Sequence, residues 1–284
     1  MRDKKEILSF CTNTFSWGDY IDQVWDYWFE DKSGRLLVAE SSGGKVAVAH
    51  VTLCPGKSRI WLEGIRVHPA HRRSRIATSL IEAMIGYGRK MGATRALAVV
   101  AKENRGSQQM MEKNGFNAIS SWAYYGTSGD LKGQKSKASI ATSYDAASIW
   151  RYLLASKIYS LSARTYVKSW HWYPFDRKAL RDLIKEKRVL VTGAPVDGVA
   201  VINQSGYWQR KNILQIVYID SESTGSLRDL LSFVINIYTV GKYKRLQVLC
   251  QENNKVMSAI DKIGMEESEQ FLLYDKVFTS SARH

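Results

Sequence analysis

Ile65-Arg66-Val67-His68-Pro69-Ala70-His71-Arg72-Arg73-Ser74-Arg75-Ile76-Ala77-Thr78 is the stretch on which the reading of this chain turns. An extended run, Arg59 to Val67, ends at the proline turn. From Arg75 to Lys90, apolar residues then fall at Ile76, Leu80, Ile81 and Met84, the spacing of one helix face. A strand that stops at a proline and re-enters as a helix through a basic loop offers an anion free backbone N–H groups and the positive end of the helix dipole. Arg72, Arg73 and Arg75 crowd that loop. Arginine at a helix start opposes the dipole, so an anionic partner accounts for them better than a solvated basic surface does. The stretch reads as a phosphate or pyrophosphate cradle.

On the N-terminal side the pattern predicts a strand at Ile7 to Cys11, a helix at Asp19 to Phe29, and strands at Arg35 to Glu40 and Lys45 to Leu53 joined by a turn at Gly43-Gly44. On the C-terminal side it predicts a buried strand at Arg95 to Ala101, a short helix from Gly106 to Lys113 that breaks at Asn114-Gly115, and an extended run from Phe116 to Tyr125. This is an α+β plan, mostly antiparallel, with one parallel crossover.

Gly, Ser, Thr and Lys dominate residues 126 to 142, the composition of a linker. A bridging helix at Asp145 to Ser156 and an aromatic segment at Tyr166 to Phe175 follow. Sliding the second half against the first by 149 positions pairs Gly92 with Gly241, Leu97 with Leu246, Val99 with Val248, Glu103 with Glu252, Asn104 with Asn253, Lys113 with Lys262 and Gly115 with Gly264. Identity at this density and fixed offset marks a duplication. The expected division is a first domain at 1–126, a linker at 127–142 and a second, degenerate copy at 143–284. Where the first copy has its arginines, the second reads Tyr218-Ile219-Asp220-Ser221-Glu222-Ser223-Thr224-Gly225-Ser226. Carboxylates there repel a pyrophosphate, so the second copy is expected to bind no coenzyme.

The 284 residues, 45% hydrophobic and 24% charged, are enough for two globular domains. No apolar run spans a bilayer and no secretory leader is evident, so the expectation is a cytoplasmic protein with no membrane partner. Cys11, Cys54 and Cys250 are too scattered for a disulfide framework or a metal cluster, so no metal is expected. The formal charge is +14 and both halves are basic. Nucleic acid is therefore a conceivable but less favoured partner.

In order and spacing, Val67-His68-Pro69, Arg72-Arg73-Ser74-Arg75-Ile76-Ala77, and Asn104 through Glu112-Lys113-Asn114-Gly115-Phe116 resemble the signature of the GNAT superfamily of N-acetyltransferases. The resemblance covers about residues 35 to 125, with a faded copy from about 175 to 275. It implies two GNAT-like mixed, mostly antiparallel sheets flanked by helices and arranged in tandem. It implies acetyl-CoA as co-substrate, its pyrophosphate on Arg72, Arg73, Ser74, Arg75, Ile76, Ala77 and Thr78. A backbone N–H among Ile65, Arg66 and Val67 would polarise the thioester carbonyl, and Asn104 would meet the pantetheine arm. Two positions depart from the pattern: Arg75 stands where the family has glycine, and Met111 where it often has a tyrosine acid.

The resemblance leads to an N-acetyltransferase that moves an acetyl group directly to a primary amine, on a small molecule or a protein. Two other readings stay open, an acyltransferase that uses aminoacyl-tRNA and a non-catalytic acyl-CoA-binding protein. Glu63 is the first candidate base, because strand alternation places it on one face with Trp61, Ile65 and Val67, where desolvation favours the neutral acid. Tyr124 and Tyr125 are the candidate acids. On the acceptor side, Phe15, Trp17 and Asp19 could hold a cationic amine by aromatic and charge contacts.

Overall fold

The computed structural model describes residues 2–12, 14, 18–127, 129–204 and 212–279. The chain divides into two compact units, one of Met1–Val100, Asn104–Ala118 and Leu273–His284, the other of Ala101–Glu103 and Ile119–Leu272.

The first unit opens with helices α1 (Arg2–Cys11) and α2 (Ile21–Glu30) and continues through strands β1 (Gly34–Ser41), β2 (Gly44–Leu53) and β3 (Arg59–Val67), helix α3 (Ile76–Lys90), strand β4 (Arg95–Ala101) and helix α4 (Arg105–Lys113). The strands lie in the order β1-β2-β3-β4, with the first two pairings antiparallel and β3–β4 parallel. Helix α2 buries Ile21, Val24, Trp25 and Trp28, and α3 buries Leu80, Ile81, Met84 and Ile85, each a single apolar stripe.

The predicted strand at Ile7 to Cys11 is a helix instead. A five-residue apolar run cannot distinguish the two periods, and tertiary packing decided for the one that buries Ile7 and Cys11 four residues apart. Lys4 Nζ donates to the Asp26 carboxylate at 3.2 Å and ties α1 to α2.

The second unit begins with β5 (Asn117–Thr127), of which residues from Ile119 onward belong to it. It continues with β6 (Ser139–Ile140), α5 (Ala146–Ala155), α6 (Lys157–Leu161), β7 (Thr165–Lys168), β8 (His171–Pro174), α7 (Arg177–Lys185), β9 (Val189–Thr192) and β10 (Gly198–Asn203). It ends with β11 (Ile213–Ser221), α8 (Thr224–Val240), β12 (Arg245–Gln251), α9 (Asn254–Asp261) and the start of β13 (Glu266–Val277). Its sheet runs β5-β12-β11-β10-β9-β6, and only β11–β12 is parallel. The aromatic segment forms the β7–β8 hairpin, whose buried Trp172 meets Trp122 edge to face at 5.6 Å.

Between the units the terminal strands are exchanged in sequence. Residues 119–126, expected to close the first domain, pair with β12 in the second unit, while the chain's last described strand residues, from Leu273, belong to the first. There Asp275 accepts a bidentate pair from Arg95 at 3.0 and 2.8 Å. The linker-like stretch is fastened to the second unit, with Ser136 Oγ donating to the Asp229 carbonyl at 2.7 Å and β6 pairing with β9.

A bulge in β3 shapes the first unit. His50 pairs with Glu63 and Val48 with Arg66, so Gly64 and Ile65 together oppose a single residue, Ala49. Gly64 has φ +66°, and a Cβ there would lie 2.2 Å from Trp28 Cη2. Gly64→Ala combines an overpacked contact with a left-handed backbone. It should lower the unfolding free energy by at least ~2 kcal/mol in urea titration. Gly86→Ala, in a helix where the added methyl meets nothing within 4 Å, should be neutral or stabilising.

Candidate functional site

In the first unit β3 and β4 are in register only from Arg59 to Trp61 against Arg95 to Leu97, yet β3 runs on to Val67. Beyond Trp61 the two parallel strands part. Ile65, Arg66 and Val67, the residues expected at the thioester, lie on the parted end of β3, directly after the bulge.

The chain then makes a 3₁₀ turn at Pro69–His71, capped by His68, whose Nδ1 accepts from Ala70 N at 3.2 Å. Ser74 Oγ donates to the His71 carbonyl, and Arg72 Nε reaches the Val67 carbonyl at 3.4 Å. Arg73 and Arg75 both take left-handed backbone angles, φ +65° and +64°. Alternation of this kind turns successive N–H groups into one concavity, the backbone geometry that binds anions. Arg75 is the N-cap of α3 and gives it no side-chain cap, so the first-turn N–H groups of Ile76, Ala77 and Thr78 have no intrahelical acceptor. Arg72, Arg73, Ser74 and Arg75 are all exposed at this opening. The residues present therefore fit a pyrophosphate. Arg75 follows the backbone path that glycine would take, so its departure from the family pattern changes the side chain at the cradle and not the path of the loop.

Asn104 caps α4, its Oδ1 accepting from Ser107 N at 3.0 Å, and the far end of α4 is tied to α3 by Asn114 Nδ2 to Thr78 Oγ1 at 3.4 Å. Met111 is buried.

The bulge also changes which β3 side chains share a face. Strict alternation groups Glu63 with Ile65 and Val67; the additional residue instead brings Glu63 and Arg66 onto the face covered by α2. Glu63 Oε1 lies 2.8 Å from His50 Nδ1, and His50 Nε2 lies 3.4 Å from Asp31 Oδ2. The His50 ring is 1% exposed and stacks on Trp28 at 4.9 Å with 9° between the planes. Neither His50 nor Asp31 stands out in the sequence as a site residue, although a lone imidazole inside Val46-Ala-Val-Ala-His50-Val was a signal available there.

Asp19 sits just before α2, where it accepts from Arg66 Nε at 2.7 Å and Nη2 at 3.1 Å. The Arg66 guanidinium also lies over Tyr20 at 5.3 Å. Burial disfavours charge on Arg66, but Tyr20 and the bonded Asp19 outweigh it and raise its pKa. Burial pushes the Tyr20 phenol up to about 12 against the opposing effect of Arg66. Asp19 thus anchors the segment before α2 to β3 and is itself neutralised there. Phe15 and Trp17 lie outside the described residues.

Tyr124 and Tyr125 both belong to the second unit. The Tyr124 hydroxyl accepts from Gln247 Nε2 at 2.7 Å, at the end of a buried amide ladder in which Asn203 donates to Gln215 and Gln215 to Gln247. Tyr125 is fully buried, its pKa raised by desolvation, with its hydroxyl 3.4 Å from Glu267.

The second unit repeats the parted strands, with β11 and β12 in register only from Ile213 to Ile216 against Arg245 to Val248. Here the opening is filled from within. Lys255 Nζ donates to the Ser221 and Glu222 carbonyls, the latter at 3.0 Å. Asp220 accepts from Tyr152 and Tyr218, each at 2.9 Å, and from Ser156. Every residue of β11 is buried.

If the left-handed backbone at Arg75 is a strained position for any residue but glycine, Arg75→Gly should be at least as stable as the wild type. Arg75→Val, β-branched at the same φ, should be less stable than the wild type by ~1–2 kcal/mol in thermal or urea unfolding.

Comparison with known proteins places this geometry. Residues 5–116 match the model of the acetyltransferase (GNAT) family. No curated protein sequence matches the chain at a significant level. Among solved structures, a GCN5-related N-acetyltransferase from Sphaerobacter thermophilus is similar over 93% of this chain and 89% of its own, at 14% identity and a TM-score of 0.59. A tandem GNAT protein from the clavulanic acid biosynthesis pathway is similar over 98% and 94%, at 14% identity and a TM-score of 0.53. A GNAT-family acetyltransferase from Colwellia psychrerythraea is similar over 96% and 94%, at 10% identity and a TM-score of 0.50. At these identities the structures speak to the fold, and the family match speaks to the first copy. The chain has the fold of a tandem GNAT protein, and its residues 5–116 match the model of the GNAT acetyltransferase family.

Proposed function

We propose that the first unit transfers an acetyl group from acetyl-CoA directly to a primary amine. The observation that carries this reading is the continuity of three features on one stretch of chain: the bulge at Gly64, the parted end of β3, and the left-handed basic loop that opens α3. The cradle from Arg72 to Thr78 would hold the pyrophosphate through backbone N–H groups, with the exposed arginines adding charge. A backbone N–H on Ile65, Arg66 or Val67 would face the thioester carbonyl as a fixed donor to its developing negative charge. Acetyl-CoA supplies the activated acyl group and a thiolate leaving group that is tolerable near neutral pH, so water can serve as the proton source.

Glu63 is the base in this reading. An amine attacks only as the free base, and a carboxylate under α2 is placed to take its proton. The acceptor is a cation before it loses that proton, and acidic groups line the α2 face at Asp31 and Glu63. Helix α4 takes its cap from Asn104, so a contact with the pantetheine arm would be made by the nitrogen side of that amide.

The second unit is proposed to bind no coenzyme, since Lys255 occupies its opening and Asp220 and Glu222 stand where the first copy has arginines. No helix among the described residues is long and apolar enough to cross a membrane.

The test is calorimetric titration of acetyl-CoA into the wild type and Arg72→Ala/Arg73→Ala, followed by free-thiol release with a panel of amines and peptides. One site per chain, weakened at least tenfold in the double variant, with thiol release by some amine, is the expected result. Two sites per chain would overturn the reading of the second unit. Absence of binding would overturn the transferase.

A further inference from the structure

In the alignment of the two copies that sets Ile65 against Val217, Glu63 falls on Gln215. The strand pairing agrees, since Glu63 lies opposite His50 and Gln215 opposite Asn203. In the first unit that pair is an imidazole and a carboxylate 2.8 Å apart; in the second it is two amides, Asn203 Nδ2 donating to Gln215 Oε1 at 3.0 Å. The amides continue across the sheet along the register. Gln215 lies opposite Gln247 and donates to its Oε1 at 2.9 Å, and Gln247 Nε2 donates to the Tyr124 hydroxyl at 2.7 Å. Asn203, Gln215 and Gln247 are 1–2% exposed. An amide taken out of water is costly unless its groups are met, and in this row each amide meets the next. Amides hydrogen-bond without changing charge, so the second unit has a row of fixed polarity where the first has an acid–base pair.

The row ends at a cleft of about 140 Å³, lined by Tyr124, Gly126 and Thr127 of β5, Arg245 and Gln247 of β12, and Ser268 of β13. Gly126 lies opposite Gln247 in the register. A Cβ on Gly126 would lie 3.2 Å from the Tyr124 hydroxyl and 3.9 Å from Ser268 Oγ, so the missing side chain opens the space beside these two hydroxyls. The Tyr124 oxygen accepts from Gln247 and the Thr127 oxygen from Gly129 N at 3.0 Å, so each hydroxyl has its own proton to donate. Gln247 Oε1 is already taken by Gln215. Arg245 is exposed and forms no ion pair with a described residue, and none of the described residues lining the cleft is acidic. One guanidinium and three hydroxyls thus converge on a small space in which donors outnumber acceptors. Such a space suits a compact anion that only accepts. A single guanidinium neutralises one carboxylate and matches its two oxygens, whereas a phosphate dianion would be left half neutralised.

We propose that this cleft of the second unit is a recognition site for a carboxylate, carried by a small organic acid or by a peptide C-terminus. The carboxylate lies over Gly126, where it accepts from Arg245 and from the hydroxyls of Tyr124 and Ser268. The amide row supports it from behind. By donating to the phenolic oxygen, Gln247 fixes the direction of the Tyr124 hydroxyl and makes it a better donor, and Asn203 and Gln215 hold Gln247 in turn. No bond is made or broken and no proton is transferred. The site needs no coenzyme, so it stands whether or not the first unit transfers an acetyl group.

The test is ¹H–¹⁵N NMR mapping on the full chain, without acetyl-CoA, with acetate, propionate, succinate, inorganic phosphate, and an alanine pentapeptide whose C-terminus is free or amidated. The expected result is that at least one carboxylate shifts the Gly126 amide and the Arg245 side-chain Nε–H saturably. Its Kd should rise at least ~10-fold in Arg245→Ala, where the charged donor is gone, and in Gly126→Val, where the space is filled, and less in Arg245→Lys. Arg245 is exposed, so its replacement leaves the core intact. Saturation by the free peptide but not the amidated one identifies a peptide C-terminus as the source; saturation by the small acids alone identifies a free organic acid. No saturable shift at Gly126 and Arg245 with any carboxylate overturns the proposal. So does a Kd unchanged in both Arg245→Ala and Gly126→Val, or phosphate bound there more tightly than every carboxylate. A carboxylate lost in Arg72→Ala/Arg73→Ala and kept in Arg245→Ala sits on the basic loop of the first unit, which also overturns the assignment.

Discussion

The indole of Trp28 lies against the one β3 residue that has no side chain, and much of the first unit follows from that contact. Gly64 can turn left-handed and let the aromatic ring approach because it lacks a Cβ. The resulting bulge puts Glu63 and Arg66 on the same face, under α2, and lies on the length of β3 that has parted from β4. Trp28 also stacks on His50, so the residue that accommodates the bulge orients the imidazole beside Glu63. Backbone irregularity, aromatic packing and acid–base geometry here share a single anchor.

The two units are built on one frame and differ in what occupies its opening. Both have a parallel strand pair that parts after a few residues, followed by a long helix. In the first the opening leads to a loop of exposed arginines and the first N–H groups of α3. In the second the ammonium of Lys255 sits on the strand-end carbonyls, and three hydroxyls satisfy Asp220. A buried carboxylate is costly unless its lone pairs are met, and these hydroxyls meet them. One frame thus carries an open basic loop in the first unit and a closed core in the second.

Order, type and extent of most elements were legible in the sequence, since helices α2, α3 and α4 and strands β1 to β5 each carry a clear period bounded by Gly or Pro. The N-terminal helix was not, because Ile7 to Cys11 is too short to show a period and its polar leading turn looks like a loop. Alternation along β3 also misled at Ile65 and Val67. The glycine that breaks it has no mark of its own until Trp28 is seen against it.

What the sequence by itself determined is local: the basic loop between β3 and α3, the duplication, and the acids that replace arginines in the second copy. These are readable because backbone conformation, helix dipole and charge act over a few residues. What only the tertiary structure decided is partnership. The pairing of β5 with β12, the meeting of Asp31, His50 and Glu63 from three elements, and the capture of Asp19 by Arg66 join residues distant in sequence. Each depends on packing and strand register, whose energies are settled by the whole fold and leave no periodic trace in the chain.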